Sequence, residues 1–160
     1  MNLKPILQTK LYGMDLIFDE IVYLFNSNKL PSNILFTGPK GSGKSTLAYH
    51  LINFIFSIKE NYPYNIDLYT INNQNRSFKL VNNSSHPNFH LIDLVQDKKI
   101  IEISQIRNMI NYTNKSSFNN YPRFILIDNI ENLNLNSLNA LLKIVEEPNE
   151  NIFFILIHNN

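Results

Sequence analysis

A chain of 160 residues is long enough for one domain with a substantial buried core. At 44% hydrophobic and 17% charged it has a globular composition, and 14 Lys and Arg against 13 Asp and Glu leave a net charge of +1, which excludes a general electrostatic pull towards nucleic acid. The absence of cysteine excludes disulfides and thiolate metal sites and fits a reducing compartment.

The first residues, MNLKPILQTK, lack the basic start and apolar core of a secretory signal. No apolar run approaches the roughly 20 residues that span a bilayer. A soluble, cytoplasmic protein without membrane contact is expected. Apolar residues at Ile17, Ile21, Leu24 and Phe25 predict a first amphipathic helix, broken by Leu30-Pro31-Ser32-Asn33. Ile34 to Thr37 reads as a short strand, a glycine-rich turn follows, and Leu47, Ala48, Leu51, Ile52 and Ile55 resume helical spacing. Residues 61–88 turn to Asn, Tyr and Ser, and predict a polar insertion with little regular structure.

Phe89 to Val95 predicts the next strand, and Glu102 to about Lys115 a helix with Ile103, Ile106 and Ile110 on one face. Asn119-Asn120-Tyr121-Pro122 punctuates, and Phe124 to Ile127 is a wholly apolar strand ending at Asp128. Leu138, Leu141, Leu142 and Val145 predict a helix with a core face, stopped by Pro148, and Ile152 to Ile157 a last buried strand. Continuously apolar strands separated by helices predict an α/β fold around a mostly parallel sheet.

Gly38-Pro39-Lys40-Gly41-Ser42-Gly43-Lys44-Ser45 matches GxxxxGK[ST] at every fixed position, between a predicted strand and a predicted helix. Glycines let the backbone turn its N–H groups inward onto phosphate oxygens, and the helix that follows adds its positive end. Lys44 brings a cation to the β- and γ-phosphates, and the Ser45 hydroxyl is a hard oxygen ligand for Mg²⁺. With Thr46, this segment is the expected nucleotide-binding site of a P-loop NTPase. Asp128, at the carboxyl edge of its strand, is the expected acid on the metal side. The following position, where such ATPases carry a water-polarising Glu, is Asn129, which cannot take a proton. ATP binding is therefore expected with hydrolysis impaired, Glu131 being the one nearby catalytic candidate.

Leu138-Asn139-Ala140-Leu141-Leu142-Lys143-Ile144-Val145-Glu146-Glu147-Pro148 resembles the NALLKxxEEP segment of AAA+ clamp-loader subunits. Ile103-Ser104-Gln105-Ile106-Arg107 is similar to the [IV]xxIR stretch of the bacterial members, and His86-Pro87-Asn88 to their HPD. Gly13 and Leu30-Pro31 also fit. Within that family the Asp128-Asn129 pair looks most like the delta-prime group of DNA polymerase III. The resemblance implies a three-layer AAA+ sandwich over 1–160, incomplete at its carboxyl end: the fifth strand, helical lid, collar domain and Ser-Arg-Cys motif are not in the sequence. In the usual strand order, lack of a fifth strand leaves the P-loop strand at an edge.

The implied role is a stator-like subunit beside the motor and clamp-opening subunits of a pentameric ring that loads the sliding clamp onto primed DNA. Zinc is not implied, because 61–88 lacks the family's four cysteines. The resemblance also makes His158 and Asn159 candidate sensors of the γ-phosphate. His86 and His90 are spaced like a metal pair, with no carboxylate or thiol to complete it. Lys40 and Arg107 read as surface charges. The alternatives are an independent AAA+ enzyme, such as a branch-migration helicase or motor ATPase using Glu131, and a small P-loop kinase.

Overall fold

In the computed structural model, residues 4–96, 98–115 and 119–160 are described; Met1 to Leu3 of the N-terminal stretch lie outside them. The chain divides into two compact units, one formed by Met1–Leu30 and Gly43–His86, the other by Pro31–Ser42 and Pro87–Asn160.

The first unit contains a short 3-10 helix, Pro5–Leu7, then α1 (Asp15–Asn26), α2 (Lys44–Ser57) and α3 (Arg76–Asn82). On α1 the buried residues are Phe18, Ile21 and Val22, whereas Ile17 is 48% exposed, so the core stripe is rotated from the one the spacing predicts. Aromatic packing sets that rotation: the Phe18 ring stacks on Tyr64 at 5.2 Å and meets Phe54 and Tyr69 edge-on. On α2, Leu47, Ala48, Leu51, Ile52 and Ile55 are buried as expected, and so are Tyr49, His50 and Asn53.

Residues 61–88 depart from the expectation of little regular structure. Asn75 caps α3 by accepting from the Phe78 N–H at 2.8 Å, and its amide donates to the Glu60 carboxylate at 2.9 Å. Glu60 also accepts from the Ser77 N–H at 3.0 Å and hydroxyl at 2.8 Å, and Tyr64, Ile71 and Val81 are buried. The polar residues here are internal caps and links, and the apolar ones follow no single period.

The second unit is a four-stranded parallel sheet of β1 (Asn33–Gly38), β2 (Phe89–Ile92), β3 (Arg123–Ile127) and β4 (Ile152–Asn159), ordered β1-β4-β3-β2. Register pairs Ile34 with Ile155, Ile125 with Phe154, and His90 with Ile125. Every residue of β3 is buried, as a strand continuously apolar from Phe124 to Ile127 requires. β1 is the outermost strand on its side, and its Leu35 is 56% exposed.

One sheet face packs against α4 (Ile103–Asn114) and α5 (Leu135–Glu146) through Ile92, Ile101, Ile106, Met109, Ile125, Ile127, Leu141, Ile152 and Phe154. Glu102 and Gln105 form a capping box at the start of α4, and the Gln105 amide also donates to the Asp93 carbonyl at 2.8 Å. At its other end, the Arg123 guanidinium donates to the carbonyls of Tyr112, Thr113 and Lys115 at 3.1, 3.2 and 2.9 Å. A buried cation thereby meets the negative end of the helix.

Two expectations change here. Strand β2 stops at Ile92 instead of Val95, because the Asp93 carboxylate turns back onto the Leu94 N–H at 2.7 Å. On α5 only Leu141 of the four predicted core residues is fully buried; Leu138 and Leu142 are 39% and 46% exposed. With Leu135 they form an apolar stripe at helical spacing, and periodicity alone does not tell an open stripe from a covered one. Among the described residues no helix is long and apolar enough to cross a membrane.

Candidate functional site

The GxxxxGK[ST] segment takes the strand, turn and helix form that the sequence predicts. The chain leaves β1 at Gly38, turns through Pro39–Ser42 with the Ser42 N–H on the Pro39 carbonyl at 3.3 Å, and caps α2 with Gly43. Gly41 and Gly43 have φ of 82° and 90°, a region that side chains with a Cβ rarely adopt. At Gly43 a Cβ would also come within 3.4 Å of the Met14 methyl. Lys44 follows as the first residue of α2 and is only 6% exposed, while Ser45 and Thr46 are half-buried in the first turn. Gly38 to Ser42 belong to the second unit and Gly43 to Thr46 to the first.

The carboxyl edge of the sheet gathers the remaining sequence candidates. Asp128 comes directly after β3, its N–H on the Ile92 carbonyl at 2.9 Å, and its carboxylate accepts from the Asn129 N–H at 2.9 Å. Asn129 sits at φ 58°, which asparagine tolerates better than most residues. Its amide NH₂ donates to the Asp93 carboxylate at 2.7 Å, and its carbonyl accepts from the Asn159 NH₂ at 2.9 Å. The Asn159 NH₂ also donates to Glu131 Oε1 at 3.2 Å, while the Asn159 backbone N–H donates to Glu131 Oε2 at 3.1 Å.

Two amides are thus stretched between two carboxylates. A carboxylate only accepts, so each amide must present its NH₂ outward, and the order Asp93, Asn129, Asn159, Glu131 fixes both orientations. Partial burial alone would raise the Glu131 carboxyl, but the hydrogen bonds from Asn159 and from its own backbone, with the nearby His158, hold it below the ordinary glutamate range. Glu131 is therefore an ionised acceptor already engaged on both oxygens.

His158 and Asn159 complete β4, where Thr37 and Gly38 are their register partners. The His158 Nδ1 lies 3.3 Å from the Thr37 hydroxyl. The structure brings Asp128, Asn129, Glu131, His158 and Asn159 to one sheet edge, together with Gly38, where the glycine-rich turn begins. Asp93 joins them without having been singled out in the sequence, although it follows the apolar run Phe89 to Ile92 just as Asp128 follows Phe124 to Ile127.

The two spaced histidines have other partners. His86 stacks on Phe56 at 4.0 Å and contacts the Ser77 hydroxyl, and burial lowers its pKa to about 4. His90 stacks on Tyr112 at 5.1 Å. Among the described residues no group of three or more His, Asp or Glu is placed to hold a metal ion. Lys40 and Arg107 are exposed.

The parallel sheet, its β1-β4-β3-β2 order and the glycine turn after β1 define an α/β P-loop NTPase fold of the AAA+ class. A gamma subunit-related protein of DNA polymerase III from Thermotoga maritima has the same fold, with a TM-score of 0.56 at 18% identity over 91% of this chain and 38% of that one. Residues 15–160 match the family model described as DNA polymerase III, delta subunit, and the chain belongs to that family.

Its curated relatives include the DNA polymerase III subunit delta' of Buchnera aphidicola subsp. Baizongia pistaciae, 29% identical over 99% of this chain and 45% of the relative. The delta' subunit of Bacillus subtilis is 27% identical over 84% of this chain and 39% of the relative. The chain is therefore delta'-like and spans less than half the length of these relatives.

Proposed function

We propose that this chain is the nucleotide-binding domain of a delta'-like clamp-loader subunit that binds ATP and hydrolyses it weakly or not at all. Gly38, Pro39, Lys40, Gly41, Ser42, Gly43, Lys44, Ser45 and Thr46 bind the nucleotide. Backbone N–H groups and Lys44 meet the phosphates, and α2 directs its positive end at them. The Ser45 hydroxyl and the Asp128 carboxylate are hard oxygen donors suited to Mg²⁺, which when bound neutralises phosphate charge. No zinc is required.

The observation that carries the reading is the amide chain. At position 129 the side chain is an amide tied to Asp93 at 2.7 Å, and the nearby acid, Glu131, is tied to Asn159 by both oxygens. Neither is set up to take a proton from water. An independent motor or helicase needs such a base, and a phosphoryl-transferring kinase an acceptor site, so both readings rank below. The relatives' names support a place in the polymerase III clamp loader. There the subunit meets the motor and clamp-opening subunits and, through the complex, the sliding clamp and primed DNA in the cytoplasm.

Titration with a fluorescent ATP analogue and Mg²⁺ tests binding: saturable binding abolished by Lys44→Ala supports it, and none at millimolar nucleotide rejects it. Phosphate release at a motor subunit's rate, lost in Glu131→Gln, would reverse the hydrolysis assignment. Co-purification of the tagged chain with the motor and clamp-opening subunits tests the assembly.

A further inference from the structure

Asn159 faces Gly38 in the register of β4 on β1, and the Asn160 N–H donates to the Gly38 carbonyl at 3.2 Å, so the end of β4 lies against the residue where the phosphate turn starts. An asparagine amide has two N–H bonds to give. Here one goes to the Asn129 carbonyl and the other to the Glu131 carboxylate, at 2.9 and 3.2 Å. The Asn129 carbonyl cannot be exchanged for a donor, because the opposite end of that amide is committed to Asp93. A phosphate oxygen arriving at this edge can therefore win an Asn159 N–H only by displacing an acceptor, and the exposed Glu131 is the one free to swing away.

We infer that Glu131 is a positioning residue that withholds the Asn159 amide from a bound nucleotide's terminal phosphate, so that the site, given the nucleotide reading above, distinguishes ATP from ADP weakly. Opening the Glu131–Asn159 contact is what makes the edge responsive to the γ-phosphate. Because the Asn159 backbone N–H is held by the same carboxylate, release also loosens the end of β4 from the 3-10 turn Ile130–Asn132. The γ-phosphate and Glu131 thus compete for one donor, and the contact sets the threshold.

The test is the ratio of affinities for ADP and for the non-hydrolysable β,γ-imido analogue of ATP, measured with Mg²⁺ on the wild type and on Glu131→Ala, Glu131→Gln, Asn159→Ala and the Glu131→Ala/Asn159→Ala pair. Release of one exposed hydrogen bond predicts that Glu131→Ala shifts the ratio towards the triphosphate by about five- to tenfold. Glu131→Gln, which keeps an acceptor, should stay nearer the wild type. Asn159→Ala should abolish the shift in the double variant. A ratio unchanged by Glu131→Ala, with both nucleotides still binding, overturns the positioning role alone. A folded wild type that binds neither nucleotide overturns the nucleotide site and this role with it. A shift in Glu131→Gln equal to that in Glu131→Ala would assign the effect to the lost charge and not to the lost acceptor, and would likewise overturn the role.

Discussion

Asn129 places its amide NH₂ on the Asp93 carboxylate at 2.7 Å, so the position after Asp128 is matched to an acid one strand away. A glutamate there would set two carboxylates against each other, and its backbone would have to adopt the φ of 58° that asparagine tolerates better. Asn129→Glu is expected to lower stability by about 1–3 kcal/mol at pH 7. The loss should shrink as pH falls into the carboxylate range, where one of the pair keeps a proton. Adding Asp93→Asn should recover most of it in urea denaturation, and an unaltered single variant would show the contact to be energetically idle.

Arg123 lies on β3 and its guanidinium reaches three carbonyls at the end of α4, with Tyr112 beneath it at 5.5 Å. Replacing it with Met removes three donors from that helix end; the Tyr112 carbonyl keeps the Lys115 N–H and the Thr113 carbonyl keeps the Asn149 amide, so the expected cost is about 1–3 kcal/mol. Arg123→Lys should regain only part, since an ammonium does not fork across separate acceptors. Equal urea midpoints for the Lys variant and the wild type would refute the geometric part of this account.

His50 is fully buried; its Nε2–H donates to the Gln8 carbonyl at 3.1 Å, leaving Nδ1 to accept from the Tyr64 hydroxyl at 2.9 Å. Burial lowers its pKa to about 4 from the ordinary 6.5. The unfolded chain then binds more protons than the folded one between these values. The stabilisation is complete above pH 6.5 and is lost as pH falls towards 4, by about 3 kcal/mol in all. His86, lowered likewise to about 4, adds to the same slope. Denaturation midpoints at pH 7 and pH 5 should differ, and less so in His50→Gln; a flat profile would contradict the assignment.

Asn75 links Asn53, Glu60 and the start of α3. Asn75→Ala removes a cap and strands a buried amide, and should cost about 2–3 kcal/mol. Limited proteolysis should then cut within 61–88 well before the rest of the chain opens. Protection equal to the wild type would mean that the segment is held by its apolar residues alone.

Much of the fold was open to reading because its signals are local. Four apolar residues before Asp128 mark a buried strand, and Gly41 and Gly43 sit at φ values that residues with a Cβ rarely adopt. What escaped depends on partners remote in sequence. Arg123 meets a helix end, Asp93 meets the amide of Asn129 beyond the neighbouring strand, and neither contact leaves a periodic trace. Leu138 and Leu142 obey the period of a core face and are nevertheless open to solvent. The asparagines of 61–88 look like solvated loop residues until their acceptors are in place. His158 and Asn159 were legible as candidates, but their anchoring to Thr37 and Glu131 was not.

The pairing of β1 with β4 joins Asn33 to Phe154, so among the four described strands the first to be made waits for the fourth before it is paired. Everything from α2 to α5 has to leave the ribosome in between, on the order of ten seconds of synthesis. Among the described strands β1 pairs with β4 alone, and closing so long a loop is slow. The nascent chain carries residues 33–38 as an unfinished strand, and chaperone occupancy of that segment should persist until β4 emerges.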